Sequence, residues 1–180
     1  MRKTVYKLYW AWDFDREEKW LNEMSAKGQH LCGVGFCRYV FEEGAPGLYL
    51  YRLEMLDHWP SHPKSADYIR FVEDTGAEQI GAINRWVYFR KERGGSGFDI
   101  FSDVSSRIRH LDRILFLVVI FSALNLLNGL NQIHWGVSTG VSANLVIGML
   151  CSALGLLLGY GFLRLYRKRR RLAKERLIRE

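Results

Sequence analysis

Fifty consecutive residues without a charged side chain constrain this chain more than any other feature. Residues 114–163 contain no Lys, Arg, Asp or Glu. They divide into two apolar runs, 114–133 and 141–163, each long enough at about 1.5 Å per residue to cross a hydrocarbon layer of about 30 Å. A soluble helical hairpin is the alternative, but soluble helices of this length carry a polar stripe that these runs lack. The sequence therefore predicts a two-helix transmembrane hairpin.

The charges that flank these runs predict their orientation. Residues 1–113 carry 17 basic and 17 acidic side chains, so the whole net charge of +7 lies in residues 164–180. That distribution argues against a basic domain for nucleic acid. The connection 132–140 has no Lys or Arg. Because basic segments stay on the cytoplasmic side, we expect a multi-pass protein of the cell membrane with both termini cytoplasmic.

The basic cytoplasmic tail, 164–180, is expected to contact anionic membrane lipid. A helix that continues past the bilayer would place its cationic side chains at the inner leaflet, where each contributes about 1 kcal/mol. Docking of an acidic partner or of nucleic acid is the alternative. The predicted headgroup contacts are Arg164, Arg167, Lys168, Arg169, Arg170 and Arg171.

Small residues on the second apolar run predict close helix packing. They recur every four residues, a spacing that lets helix backbones approach one another in lipid. Two asparagines on the first run are placed to hydrogen-bond across the same seam. Packing within the hairpin and contact between two chains in a homodimer both remain open. The predicted packing residues are Asn125, Asn128, Asn144, Gly148, Ser152, Gly155 and Gly159.

The residues before the hairpin predict a small cytoplasmic α+β domain, 1–93. Strand and helix patterns alternate as strand, helix, strand, strand, helix and one or two final strands. This order is typical of a ferredoxin-like domain, the split βαβ arrangement with two helices on one antiparallel sheet. A glycine-rich joint and an amphipathic helix, together 94–113, are expected to connect the domain to the first transmembrane helix.

Aromatic residues on both faces of the predicted strands suggest an interaction surface. One face must pack on the helices, whereas the other would expose rings for a protein partner. Burial of most of these rings in the core is the alternative. The candidate interaction residues are Tyr51, Trp86 and Tyr88.

Three segments resemble a known family. The pieces EEKWLNEM, RYVFEEGAPG and RWVYFRK, within a match over about residues 3–111, are similar to the domain-of-unknown-function family 2812. The resemblance implies a cytoplasmic domain followed by transmembrane helices, in Gram-positive bacteria, often encoded beside a PadR-like repressor. It implies an accessory or regulatory role and supplies no catalytic residue.

Side chains that could carry chemistry are few. Cys32 and Cys37, with His30, His58 and His62, form one candidate metal set, but their spacing departs from that of zinc sites and buried thiols are the simpler interpretation. Asp13 and Asp15, with Glu17 and Glu18 beside them, form a second, but these acids lie at a predicted helix start, where capping and the helix dipole account for them. We therefore predict no metal, no cofactor and no catalytic residue.

These observations favour a non-enzymatic, membrane-anchored regulatory or adaptor protein with an unidentified protein partner. An accessory or immunity subunit of a larger membrane complex, such as an exporter, is the second hypothesis, because the hairpin itself can be an interface. An enzyme acting on lipid or envelope precursors is a weaker third hypothesis.

Overall fold

The computed structural model describes residues 2–94 and 104–179, with side chains described through residue 94 and from 107 to 174. The chain divides into two compact units, Met1–Ser102 and Asp103–Glu180. The predicted glycine joint at 95–97 lies outside the described residues.

The first unit is an α+β domain, as predicted. A single 3-10 turn, Ala11–Asp13, precedes its first helix. The strands form two antiparallel sheets, ordered β1-β3-β2 and β4-β6-β5. The helices and strands are β1 (Arg2–Tyr6), α1 (Phe14–Ala26), β2 (Gln29–Gly35), β3 (Arg38–Glu43), β4 (Tyr49–Met55), α2 (Pro63–Asp74), β5 (Ala77–Ile83) and β6 (Trp86–Glu92).

The strands do not form the single sheet expected of a ferredoxin-like domain. The difference arises at residues 29–43, which fold as the β2–β3 hairpin where the ferredoxin-like order has a single strand. The chain reverses at Phe36 and Cys37, and Cys37 adopts a left-handed φ of 53°. The β5–β6 hairpin reverses beside Asn84, with a φ of 55°, in a residue type that tolerates this conformation. Each hairpin joins one more strand, so two three-stranded sheets result.

The two sheets repeat one β-α-β-β unit at a spacing of 48 residues. Gly28 and Gly76 follow the two helices with φ values of 75° and 85°. Both sheets shift register by one residue just before a glycine, at Gly33 in β2 and at Gly81 in β5. Two pairs of glycines mark this internal repeat in the sequence, Gly28 with Gly76 and Gly33 with Gly81. The periodicity of apolar residues alone does not reveal it.

The second sheet is covered by apolar side chains on both faces. In β6, Val87 and Phe89 face α2 and are fully buried. The alternate residue Tyr88 joins a second cluster, which includes Leu21 of α1 and Phe41 of β3. Successive strand residues point to opposite faces, so rings on either face of this sheet are core residues.

The second unit consists of two long helices, α3 (Val104–Thr139) and α4 (Ser142–Arg179). The predicted amphipathic segment is the start of α3 and not a separate helix. The predicted connection is mostly helical, and the turn is confined to Gly140, with a φ of 72°, and Val141. The basic tail continues α4. Each helix contains a span long and apolar enough to cross a membrane, Arg107–Thr139 and Ser142–Lys174, which confirms the predicted pair of spans in length and composition.

Candidate functional site

A buried carboxylate lies at the centre of the first unit. Glu17, in the first turn of α1, is only 7% exposed. The hydroxyl of Tyr39 on β3 donates a hydrogen bond of 2.7 Å to its Oε1 atom, and the hydroxyl of Tyr88 on β6 donates one of 2.6 Å to the same atom. The three side chains therefore tie α1 to both sheets. The sequence placed Glu17 at a helix start among other acids, and nothing in it indicated that this carboxylate is buried against two tyrosines.

The electrostatics of this cluster follow from its burial. Burial raises the pKa of Glu17, and the hydrogen bonds from Tyr88 and Tyr39 oppose that rise. Burial also raises the pKa of both tyrosines, and the neighbouring Glu17 carboxylate raises each further. The phenols therefore stay protonated and act as hydrogen-bond donors to the carboxylate.

The two oxygens of Glu17 differ in the hydrogen bonds that they accept. Both tyrosines donate to Oε1, and no residue within the described parts of the chain donates a hydrogen bond to Oε2. The neighbouring Glu18 differs, because its Oε1 pairs with Arg52 Nη1 at 2.8 Å and its Oε2 accepts from the Leu53 amide at 3.1 Å. Burial raises the pKa of Glu18 while Arg52 opposes the rise. Glu18 is thus used in holding α1 to β4.

Glu17 lines a cavity of about 250 Å³, which we call the Glu17 pocket. Its walls come from the segment before α1 and from both hairpin turns, so the repeat brings distant parts of the sequence together. Half of the lining residues are aromatic. The lining residues are Lys7, Leu8, Tyr9, Trp10, Ala11, Phe14, Glu17, Phe36, Cys37, Tyr39, Ile83, Asn84, Trp86 and Tyr88.

Packing between rings fixes the walls of the Glu17 pocket. Trp10 stacks on the buried Trp12 with ring centroids 5.1 Å apart, and Phe14 lies 5.6 Å from Trp86. At the rim, Phe36 is 83% exposed. Rigid rings held by a buried partner present a preformed surface to a ligand.

The structure corrects the predicted interaction surface. Tyr51 is fully buried and Tyr88 is 4% exposed, because the second sheet is covered on both faces. The Tyr51 hydroxyl accepts a hydrogen bond of 2.8 Å from the Leu31 amide, and burial raises its pKa to about 12. Trp86 is half-buried and lines the Glu17 pocket.

The candidate metal residues do not come together. His30 lies against the Ala45 carbonyl, with Nε2 at 2.9 Å. His58 and His62 stack at 4.2 Å, and His62 Nδ1 accepts from the Lys64 amide as the cap of α2. Within the described ranges, no three His, Cys, Asp or Glu side chains are grouped to hold a metal ion, so Cys32 and Cys37 have no such cluster.

The glycine face of α4 packs against α3 of the same chain. A Cβ atom on Gly148 would lie 2.8 Å from the Gly129 carbonyl oxygen, and one on Gly155 would lie 3.0 Å from the Leu126 nitrogen. Ser122 donates a hydrogen bond of 2.8 Å to the Gly155 carbonyl. These short distances show that the small residues allow α3 and α4 to pack closely within one chain.

The other predicted packing residues are divided between the seam and their own helix. Asn128 donates to Cys151 Sγ across the seam at 3.5 Å. Asn125 does not cross it, because its amide donates to the Phe121 carbonyl one turn back. The remaining residues sit along α4: Asn144 in its first turn, Ser152 opposite Gly129, and Gly159, whose Cβ would lie 3.5 Å from Ser122 Oγ.

The basic residues of α4 have different surroundings. Arg169 pairs with Asp112 of α3 through Nε at 2.7 Å and Nη2 at 3.3 Å, so this residue closes the hairpin. Arg170 lies over the Tyr166 ring at 5.9 Å. Lys168 is half-buried. The exposed basic residues of the predicted lipid-contact set are Arg164, Arg167, Arg170 and Arg171.

Comparison with known proteins gives one match. No curated protein and no solved structure matches the chain. A family described as a protein of unknown function, DUF2812, matches residues 13–123, well over half of the chain. The match covers the Glu17 pocket residues from Asp13 onward and the first part of α3. This chain therefore belongs to the DUF2812 family.

Proposed function

We propose that this protein is a non-enzymatic, membrane-anchored regulatory or adaptor protein whose α+β domain binds a partner or ligand at the Glu17 pocket. The observation that supports this proposal is the pocket itself. A carboxylate that lines a cleft and has its pKa raised by burial is a candidate for a binding role. The aromatic rim, with Phe36 exposed, supplies the apolar contacts that recognition sites use.

The exposure of apolar side chains supports the membrane anchor. Phe116 on α3 is 63% exposed and Leu156 on α4 is 67% exposed. Only 28% of the most apolar stretch of the α3 span and 17% of that of the α4 span are buried, whereas a core helix of a soluble protein is covered. Lipid is the environment that suits such surfaces.

The proposed orientation places both termini in the cytoplasm. Arg107, Arg109 and Arg113 begin α3, and the arginines from Arg164 onward end α4, while the turn at Gly140 has no basic neighbour. Basic residues at one side of a hairpin favour the cytoplasmic face. The exposed arginines of α4 would then contact anionic headgroups of the inner leaflet.

The chemistry of the pocket favours binding over catalysis. Tyr39 and Tyr88 both donate to Glu17, and burial raises the pKa of both hydroxyls. Neither phenol is therefore available as a nucleophilic phenolate near neutral pH. The Glu17 carboxylate can instead present a negative charge to a bound partner.

A second candidate function is that of an accessory subunit whose hairpin contacts other membrane proteins. The exposed apolar faces of α3 and α4 favour it, since protein can replace lipid there. In that case the partner would contact residues such as Leu156 and not the rim of the Glu17 pocket.

Site-specific crosslinking separates the two functions. A photoreactive residue is placed at Phe36 or at Leu156 in the full-length protein, and crosslinked products from living cells are identified. Capture of a soluble partner from Phe36 supports the proposed function. Capture from Leu156 alone favours the subunit hypothesis and contradicts binding at the pocket.

Cysteine labelling tests the orientation. Cys32, Cys37 and Cys151 are replaced, and a single cysteine is introduced at Ser138 or Lys174, both of which are exposed. A membrane-impermeant maleimide should label only Ser138→Cys in intact cells, and Lys174→Cys only after lysis. The reverse pattern would contradict cytoplasmic termini.

A further inference from the structure

We propose that the outer edge of β1 binds an acidic, extended segment of a partner protein, which adds to the first sheet as a further strand. None of the described residues of β1, Arg2–Tyr6, lines the Glu17 pocket. The inference therefore goes beyond the proposed function and assigns a second contact surface. It rests on the backbone of β1, on how the chain covers other strand edges, and on the charge along the strand.

The backbone of β1 has one paired side and one open side. β1 lies at the edge of the sheet β1-β3-β2 and pairs with β3. The Lys7 amide donates to the Cys37 carbonyl at 2.9 Å, so it points toward β3. Because hydrogen-bonded and non-hydrogen-bonded pairs alternate along antiparallel strands, the backbone groups of Thr4 and Tyr6 point away from β3. No described residue makes a hydrogen bond with these outward groups.

The chain covers the backbone of other strand edges with its own side chains. On β4, Asn22 of α1 accepts from the Tyr51 amide at 2.9 Å and donates to the Tyr51 carbonyl at 3.1 Å. Ser25 likewise accepts from the Tyr49 amide at 3.3 Å and donates to its carbonyl at 2.6 Å. On β2, the outward Leu31 amide donates to a tyrosine hydroxyl. The edge of β1 has no such cover within the described residues, so a further strand can pair with it.

The charge on β1 favours an acidic segment. Residues 2–8 contain three basic side chains and no acidic one. Arg2 and Lys3 are exposed, and neither forms an ion pair with an acid in the described part of the chain. A second copy of β1 would place these cations opposite one another, which destabilises a strand pair. Basic residues on an edge discourage unwanted pairing, but they attract a strand that carries acids.

The other end of β1 offers apolar contacts. Tyr6 is 75% exposed, and Leu8, just beyond the strand, is also exposed. The nearest cation on β3 is Arg38, which lies opposite Tyr6 and is exposed as well. The segment that fits this edge therefore has acidic residues beside Arg2 and Lys3 and an apolar or aromatic residue beside Tyr6.

Peptide binding to the full-length protein in detergent tests the proposal. The probe is a fluorescent peptide of alternating glutamate and valine that ends in tyrosine, and its counterpart has lysine in place of glutamate. Binding is measured by fluorescence anisotropy near neutral pH and at low salt. We expect the acidic peptide to bind at least tenfold more tightly than the basic one. Equal affinity for the two peptides overturns the proposal.

A proline on the edge separates strand addition from attraction between charges. Thr4→Pro removes an outward N–H and leaves every charge in place, and proline is tolerated on edge strands when the N–H side faces solvent. We expect this variant to weaken the acidic peptide at least tenfold, whereas Thr4→Val, which keeps the N–H, should stay within twofold. Unchanged affinity in Thr4→Pro would mean that the peptide binds by charge alone, as anionic lipid or a ligand of the basic tail would, and overturns strand addition.

Hydrogen–deuterium exchange tests strand addition in the wild-type protein, without reliance on the proline variant. The amides of residues 2–8 should exchange more slowly when the acidic peptide is bound, because the outward N–H groups gain acceptors. Binding without this protection overturns the proposal even if Thr4→Pro fails to fold.

Charge-reversal variants locate the acidic peptide on β1. Replacing both cations, Arg2→Glu with Lys3→Glu, should reverse the preference between the two peptides. Lys64→Glu changes an exposed position on α2 and should leave the preference unchanged. Equal effects of the β1 and α2 variants would indicate dependence on net charge and overturn the assignment to β1.

Crosslinking from Phe36 keeps this proposal distinct from the proposed function. If Phe36 captures a partner from cells and Thr4→Pro does not reduce that capture, strand addition fails and binding at the Glu17 pocket stands. If Phe36 captures nothing while the acidic peptide protects residues 2–8 from exchange, strand addition stands and binding at the pocket fails.

Discussion

The hydrogen bonds from two tyrosines to one buried carboxylate give a quantitative prediction. At 2.6 Å, the bond from Tyr88 to Glu17 has the short length of a charge-assisted hydrogen bond. Hydrogen bonds to charged groups contribute about 1.5–3 kcal/mol and neutral ones about 0.5–1.5 kcal/mol. Tyr88→Phe should therefore lower the free energy of unfolding by about 2 kcal/mol in the wild-type protein, and by about 1 kcal/mol when Glu17 is already Gln.

A double-mutant cycle measures that difference. The four proteins are wild type, Tyr88→Phe, Glu17→Gln and the double variant, unfolded by urea in detergent at pH 8. Tryptophan fluorescence reports on the α+β domain, because five of the six tryptophans precede residue 94. The expected coupling is about 1 kcal/mol.

Two results would refute the reasoning. A coupling near zero would mean that Tyr88 does not interact with a charged Glu17. A loss of several kcal/mol in Glu17→Gln alone would mean that the carboxylate stabilises the fold, whereas a carboxylate kept for binding should be replaceable by its neutral isostere with little loss.

Three further predictions concern pH, the helical hairpin and the core. The pKa of Glu17 is higher in the folded than in the unfolded state. Its contribution to stability is therefore complete below the unfolded pKa of about 4.5 and is lost as the pH rises through the folded pKa. We expect the urea midpoint of the wild type, measured relative to that of Glu17→Gln, to decrease as the pH is raised from about 4 to about 8. Gly155→Ala should destabilise the hairpin by about 1–3 kcal/mol in detergent-unfolding experiments, whereas Gly159→Ala, with its nearest neighbour at 3.5 Å, should stay within about 0.5 kcal/mol. Tyr51→Phe leaves the Leu31 amide without its acceptor and should lower the urea unfolding free energy by about 1–3 kcal/mol; an unchanged midpoint would contradict this.

The helical hairpin was predictable because its signals are local. An uncharged run of fifty residues indicates two long apolar helices, although both continue beyond it, and small residues every four positions indicate the packing face. Gly148 and Gly155 lie in the seam as that spacing indicates. The Asn125 amide donates to the Phe121 carbonyl one turn back, a local bond that spacing alone does not distinguish from one across the seam.

The arrangement of the α+β domain was only partly predictable because its decisive contacts are distant in sequence. The alternating patterns gave the class, but the reversal at Cys37 depends on a left-handed residue other than glycine, which composition does not mark. From its place in the strand pattern, Tyr88 could equally be a surface residue, because the sequence does not show the second layer that covers it. Glu17 meets Tyr88 across 71 positions of sequence, so no motif could assemble the pocket.

The repeated β-α-β-β unit has an asymmetry that bears on how this domain can change. Forty-eight positions after Glu17 stands Ser65, which is 4% exposed and donates to the His58 carbonyl at 3.3 Å. The counterparts of Tyr39 and Tyr88 are Val87 and Val40. Each of the two equivalent arrangements draws residues from both halves, and one is held by hydrogen bonds to a carboxylate whereas the other is apolar apart from Ser65. The three positions around Glu17 are therefore constrained by hydrogen bonding as well as by packing, and comparison of relatives should find them varying under different rules from their counterparts.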